Sequence, residues 1–470
     1  MDHSSTSFAF GAGGETSIHP VIACALLLAA LLVFTRPRKQ IIAPLFAAFF
    51  LLPMDQVVRL GPIHLSSLRL VILIGWIRIF ATKASSPGEA IIGRANAIDK
   101  AVLLLGLTGA ANFIILWREW GAVNNQLGWL YTMFGVYFLI RAVIRDHEDV
   151  ERALRVLATV AVIVAALMVV EIVSGRHPYA FLGSSFRDAS VRDDRVRAVG
   201  PFQTPILAGT FGSTSLPLFL GLWWWRRNNR VLAVAGVVGA TAIMVTSGSS
   251  TPLMAYSAAV IGLCLWPLRR HMRVVRWGIL LSLIPIQLSM QNPIWHAIGR
   301  LDVFGGNAWH REMLVDNFVR RFGEWWLFGT KNTPNWGWDM WDLDNQFVWI
   351  GALNGLLPLL CFFAILVYLF KWVGKGLKAS HGKTSEERFF WALGVTVFSH
   401  IAAFLGICYF DQTMVAWYAL LVITCVMADP KNIAAVQLNR PAEFGAQHSE
   451  WWLDSSTTPV KSDPELNPVW

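Results

Sequence analysis

The sequence predicts an all-α polytopic membrane protein of about twelve to thirteen transmembrane helices, with a large outer loop carrying short amphipathic helices. Three observations predict it. Apolar runs long enough to span a bilayer, roughly 17–25 residues each, recur along the chain. Hydrophobic residues make up 55% of the 470 and charged residues only 15%, which excludes a water-soluble enzyme of this length. The 23 tryptophans fit the same class, because indoles favour the lipid–water interface.

Taken in order, the spans fall at 18–35, 40–53, 66–82, 99–117, 124–140, 153–174, 201–224, 231–246, 252–268, 276–290, 345–370, 389–408 and 412–428. Every second connection is basic. Arg36, Arg38 and Lys39 follow the first span, Arg141, Arg145 and Arg152 the fifth, and Arg226, Arg227 and Arg230 the seventh. Cationic loops face the cytoplasm, so the N-terminus is expected outside and the C-terminus inside; twelve spans would put the N-terminus inside. The net charge of +9 is accounted for by these loops and is not read as a nucleic-acid footprint.

This divides the chain into an outer N-terminal tail at 1–17, a membrane domain at 18–428 and a cytoplasmic tail at 429–470. The last is polar and carries Pro441, Pro459, Pro464 and Pro468, so it is expected to be disordered. No basic residue precedes the first apolar run, so no cleaved signal is expected. Cys24, Cys264, Cys361, Cys408 and Cys425 lie in or beside apolar runs without paired or metal-type spacing and read as small core residues.

Two outer segments, 175–200 and 291–344, hold the polar chemistry. The first carries Arg176, Arg187, Arg192, Arg195 and Arg197 and no lysine. Arginine without lysine points to the guanidinium fork, which binds phosphate or carboxylate at two points. The alternative is surface pairing with Asp188, Asp193 and Asp194. Arg197 stands apart, because it abuts the next span through "RAVGPFQTP".

In the second segment, "NAWHREMLVDNFVRRF" places Leu314, Val315, Phe318, Val319 and Phe322 on one stripe of a helix, with Arg311 on the same stripe. His310, Asn317 and Arg321 share a polar face. Arg311 then points toward membrane or cavity, where a cation needs an anionic partner, unless it snorkels to water.

Between the eighth and ninth spans, "TSGSSTP" reads as a tight turn. The hydroxyls of Ser249 and Ser250 can line a polar site or simply hold the turn. Farther on, "NWGWDMWDLDNQFVWIGALNGLLPLL" sets Trp336, Trp338 and Trp341 among Asp339, Asp342 and Asp344, ahead of an apolar helix. Asp344 or Asn345 can cap that helix. Capping leaves Asp339 and Asp342 unexplained, and the spacing matches no calcium loop. The tryptophans serve either as interfacial anchors or as platforms for sugar rings.

The order of these features over roughly residues 150–425 resembles the bacterial O-antigen polymerases and O-antigen ligases, membrane glycosyltransferases of the GT-C class. The resemblance rests on four pieces. They are an arginine and glycine before a proline-containing helix ("RAVGPFQTPILAGTFGSTSLPLFL"), a serine-rich turn ("VTSGSSTPLMAY"), an arginine-bearing loop helix with a glycine ("HREMLVDNFVRRFGEWWLFGT"), and an Asn-aromatic helix start ("LDNQFVWIGALNGLLPLL").

The family implies a donor glycan on undecaprenyl pyrophosphate, at the outer face of the inner membrane. A hydroxyl of a glycan acceptor attacks the anomeric carbon and lipid pyrophosphate leaves, without metal or other cofactor. Arg197 and Arg311 would bind the pyrophosphate, and Asp344 would act as base or orient the acceptor. Arg195, His310, Asn345, Ser249 and Ser250 would bind substrate, together with Trp338 and Trp341. The bilayer and a chain-length regulator are the further partners implied, and nucleic acid is not one.

Two departures matter. Ligases carry Ser-Arg in the turn, where this chain has Ser249 and Ser250, and His-Asn at the late helix start, where it has Asp344 and Asn345. The pair resembles polymerase or exopolysaccharide-synthesis members more than ligases, so polymerisation is favoured over transfer by a ligase. A lipid-glycan transporter is a further alternative, as is a non-catalytic envelope subunit. Against transport stand the lack of an internal repeat and the position of Arg69, Arg78 and Glu171 near span ends.

Overall fold

The computed structural model describes residues 18–60, 63–85, 91–184, 188–192, 194–291, 293–296, 308–429 and 431–432. The tail at 1–17 and most of the tail beyond Ala428 lie outside these residues. The chain runs α1 (Pro20–Thr35), α2 (Ile42–Leu51), β1 (Val57–Leu60), β2 (Ile63–Ser66), α3 (Ser67–Ser85), α4 (Ala97–Trp117), α5 (Trp120–Val143) and α6 (His147–Ser174). It continues with β3 (Ser190–Arg192), β4 (Arg195–Arg197), α7 (Pro205–Trp225), α8 (Arg230–Ser247), α9 (Ser250–Cys264) and α10 (Met272–Ser289). The last elements are α11 (Ala308–Arg320), α12 (Phe322–Trp325), α13 (Gln346–Asn354), α14 (Leu356–Ala379), α15 (Thr384–Phe404) and α16 (Asp411–Met427).

Every apolar segment expected from the sequence contains a helix. Among the described residues five helices are long and apolar enough to cross a membrane: Ala97–Trp117, His147–Ser174, Pro205–Trp225, Arg227–Ser247 and Leu356–Ala379. These are the helices of a membrane protein. The fold is almost wholly α; β1–β2 and β3–β4 add two short antiparallel hairpins. One correction applies. The segment 345–370 is not one helix: Gly355 divides it into α13 and α14.

Local signals explain the helix ends. Asn96 and Asp99 form a reciprocal capping box at the start of α4, and Asp146 caps α6. Thr204 caps α7, with Pro205 at its first position. Gly248, at φ 54°, makes the left-handed turn between α8 and α9. α7 is the central helix, packed by α8, α9 and α15. Its small residues admit close neighbours: a Cβ on Gly212 would lie 2.6 Å from the Ala240 carbonyl oxygen.

The connections between the helices gather at two ends. One end is basic and held by ion pairs. Arg38 and Arg152 both pair with the buried Asp149, at 2.6 and 2.7 Å, and Arg269 pairs with Glu387 at 3.0 Å. At the opposite end meet the β3–β4 hairpin, the α8–α9 turn, α11 and α12, the start of α13 and the α15–α16 connection.

The break at Gly355 builds that second end. Gly355 sits at φ 90°, ψ 179°, and a Cβ there would lie 2.5 Å from the Leu327 carbonyl oxygen. Gly329, at φ 91°, approaches the Leu353 carbonyl as closely from the other side. The loop backbone thus enters the gap, with Leu356 N donating to Trp326 O (2.8 Å) and Thr330 N to Ala352 O (2.7 Å). The Asn112 amide donates to the freed Asn354 carbonyl at 2.7 Å.

Candidate functional site

The turn 247–251 is the meeting point. Ser249 is the N-cap residue of α9, but its hydroxyl does not cap the helix; it accepts from Arg197 Nη2 and donates to Ser247 O at 3.0 Å. Arg197 Nε donates to Ser247 O at 3.3 Å. Two residues on, Thr251 Oγ1 accepts from Arg311 Nη2 at 2.7 Å and donates to Gly406 O at 3.1 Å. Both guanidinium groups are therefore held at the positive end of α9, whose first amides have no side-chain cap. Arg197 and Arg311 are 9% and 7% exposed, so the cations are largely withdrawn from water.

Arg197 is positioned by its own segment. Ala198 N donates to Thr246 O at 3.0 Å. Val199 N and Gly200 N both donate to Glu171 Oε2, at 3.1 and 2.8 Å. Gly200 O bonds His177 Nε2 at 3.0 Å, and Pro201 O accepts from Gln412 Nε2 at 2.7 Å. Five backbone groups in a row are pinned, so Arg197 enters the cluster from a fixed strand end.

α11 delivers Arg311 and its neighbour. The stripe expected there is only partly buried: Leu314 and Phe318 are buried, but Val319 and Phe322 are exposed. The expected polar face is not solvated either, because His310 and Asn317 are buried. The stripe turns instead against α13, where a Cβ on Gly351 would meet the Phe318 ring at 2.6 Å. His310 Nε2 bonds the carbonyl of Asp339, a residue at φ 62°, at 2.9 Å. His310 Nδ1 is buried and, among the described residues, has no hydrogen-bond partner.

The carboxylates complete the cluster. Asn345, not Asp344, caps α13: its Oδ1 accepts from Phe347 N and Val348 N at 3.0 and 3.2 Å, and its Nδ2 donates to Leu405 O at 3.2 Å. Asp344 is thereby free of capping and shares a hydrogen bond with Asp342. Burial, followed by the charge of Asp342, pushes Asp344 up to about 6; His310 and Arg311 pull it back down. Burial raises Asp342 as well. His310 of α11 lies within electrostatic reach of both carboxylates.

Other candidates stand apart. Arg195 is exposed at the start of β4, and Ser250 is half-buried in the first turn of α9 with its neighbour Ser249 making the contact. Trp338 is 83% exposed near Trp309 (ring centroids 6.5 Å), whereas Trp341, 69% exposed, lines a cavity beside Asp342. Trp336 is buried, its Nε1 donating to Glu324 at 3.2 Å, and is structural. Arg187 and Asp193 lie outside the described residues.

Thr251, Glu171, His177 and Gln412 were not singled out as site residues from the sequence. Thr251 sits in the quoted turn. Glu171, a lone carboxylate in the run "LMVVEIVSG", carries the one signal that marks it: a charge in apolar surroundings needs a partner.

The arrangement can hold an anion between two guanidinium groups and can take a proton at an adjacent carboxylate. No known family model matches the sequence, and no curated protein matches it.

Proposed function

We propose that the protein is a membrane glycosyltransferase of the GT-C class that polymerises glycan repeat units carried on undecaprenyl pyrophosphate, at the outer face of a bacterial inner membrane. One observation carries the reading: two buried arginines converge on one helix start, and a buried carboxylate pair lies within electrostatic reach of one of them, Arg311. Pyrophosphate departure builds negative charge, and guanidinium groups already in place stabilise it without reorganising. The acceptor needs a base near its hydroxyl, with a pKa close to working pH.

In the proposed step the acceptor hydroxyl oxygen bonds to the anomeric carbon. The anomeric carbon–oxygen bond breaks, and its electron pair leaves on the lipid pyrophosphate facing Arg197 and Arg311. The hydroxyl proton passes to Asp344, which is mostly ionised at neutral pH, and from there to solvent. His310 Nδ1 can accept from a second hydroxyl of the same sugar and so orient it.

Deletion of the gene followed by complementation tests this. Arg197→Ala, Arg311→Ala and Asp344→Ala are each expected to leave single repeat units and no polymer. Full-length polymer from all three would sink the assignment. Normal polymer that fails to reach its final acceptor would instead identify a ligase. Purified protein that moves lipid-linked glycan across a bilayer, without forming a glycosidic bond, would identify a transporter.

A further inference from the structure

Beside the carboxylate pair lies a cavity of about 420 Å³, within the roughly 300–1,000 Å³ range of small-ligand sites. α4 and α5 form one wall, the loop before α13 another, and α13 the floor. Its chemistry differs from that of the arginine cluster. Trp129, Trp341 and Trp349 line it, and among the described residues none of them stacks on another ring or gives its indole N–H to a protein acceptor. Trp117 also faces it, but Lys331 Nζ sits 4.4 Å from that ring's centroid and covers one face. The polar lining includes three primary amides, Asn125, Gln126 and Asn354, and the hydroxyls of Thr330 and Thr333. Asn354 is only 6% exposed, yet its side-chain amide has no hydrogen-bond partner among the described residues; Gln126, equally buried, bonds only Asn125, at 3.4 Å. Asp342 stands at one edge, and Cys408, which feels the charge of both Asp342 and Asp344, at another.

Uncommitted indole faces combined with uncommitted amides select for a ligand with apolar C–H faces and many hydroxyls. A saccharide has both. A lipid tail would leave the amides unsatisfied, and a pyrophosphate would meet Asp342 with, among the described residues, a single lining cation, Lys331, against it.

We propose that this cavity is a saccharide subsite, which holds the terminal sugars of the acceptor glycan and presents a hydroxyl toward Asp344. The identity of the occupant as acceptor rests on the proposed transfer reaction; saccharide binding itself does not. Donor and acceptor then approach the carboxylate pair from separate places, the pyrophosphate at the α9 start and the acceptor through the aromatic cavity.

The test uses the purified full-length protein in detergent and, as probe, the free oligosaccharide released by mild acid from the lipid-linked glycan of the producing cells. Saturable quenching of tryptophan fluorescence, checked by calorimetry, is expected. Trp341→Ala and Gln126→Ala should each weaken binding roughly tenfold, the loss of one stacking or hydrogen-bonding group. Trp341 is largely exposed, so its replacement leaves the fold intact. Arg311→Ala should bind the oligosaccharide as the unaltered protein does, and inorganic pyrophosphate should not displace it. Absence of saturable binding, binding indifferent to both cavity substitutions, or displacement by pyrophosphate would overturn the subsite. Cavity-dependent binding in a protein that forms no glycosidic bond keeps the subsite and removes the transfer reading. Transfer with cavity-independent binding does the reverse.

Discussion

Asp344 carries opposed demands. Its burial favours the neutral form, while transfer needs the ionised one. Activity should therefore rise with pH through about 6, falling about tenfold from its plateau by pH 5, as measured in polymer formed from lipid-linked substrate. Stability runs the other way. A carboxyl whose pKa is raised on folding binds its proton more tightly in the native state, so its contribution is lost as pH rises through about 6. Asp344→Asn should consequently raise the thermal midpoint at neutral pH while lowering the rate by about 10²–10⁴-fold; a lower midpoint would show that the carboxylate is structural. Glu171 makes the contrasting case. Glu171→Ala leaves the buried amides of Val199 and Gly200 without an acceptor, at about 1–3 kcal/mol each, and releases the strand end that aims Arg197. The thermal midpoint and polymer yield should both fall. Glu171→Gln, which keeps an acceptor oxygen, should restore both, a rescue that a charge requirement would not permit.

At the scale of elements, the helices were legible and the break was not. Long apolar runs mark the helices, and capping residues mark the starts of α4, α6, α7 and α13, but the run from Phe347 to Phe370 is apolar apart from Asn354, and no periodic signal distinguishes one long helix from two short ones. Gly355 and Gly329 hold that information, and their reason is mutual: each allows the other's backbone within reach. The conformation of Gly355, φ 90° with ψ 179°, belongs to a region open essentially to glycine alone. Gly355→Ala should cost about 1–3 kcal/mol from conformation, with the clash against Leu327 added. Limited proteolysis should then cut at 326–330, because that segment loses its bonds to Ala352 and Leu356. Unchanged protection of this segment would show that the loop is held elsewhere. The same logic explains why Asn345 could not be told from Asp344 as the cap: both residue types serve, and only the α15–α16 carbonyl at Leu405 selects Asn345.

The whole molecule is organised by its two ends. Arg197, Arg311 and Asp344 were legible as candidates because each is a charge out of keeping with its apolar or outward-facing setting. Their convergence was not, because Ser249 and Thr251 join partners 52 and 60 residues away, and the cavity joins α5 to α13 across the chain. The basic connections lie together at one end and the arginine–carboxylate cluster at the other, so a single orientation measurement tests the reaction's setting. In a background with the five native cysteines replaced, Trp338→Cys and Asn228→Cys report opposite ends, and both positions are exposed. Cationic loops stay in the cytoplasm, so a membrane-impermeant maleimide on intact spheroplasts should label Trp338→Cys and reach Asn228→Cys only after lysis. The reverse pattern would place the cluster on the cytoplasmic side. Lipid-linked glycan displayed on the outer face could not reach it there, and the polymerase, the ligase and the acceptor subsite would all lose their substrate together.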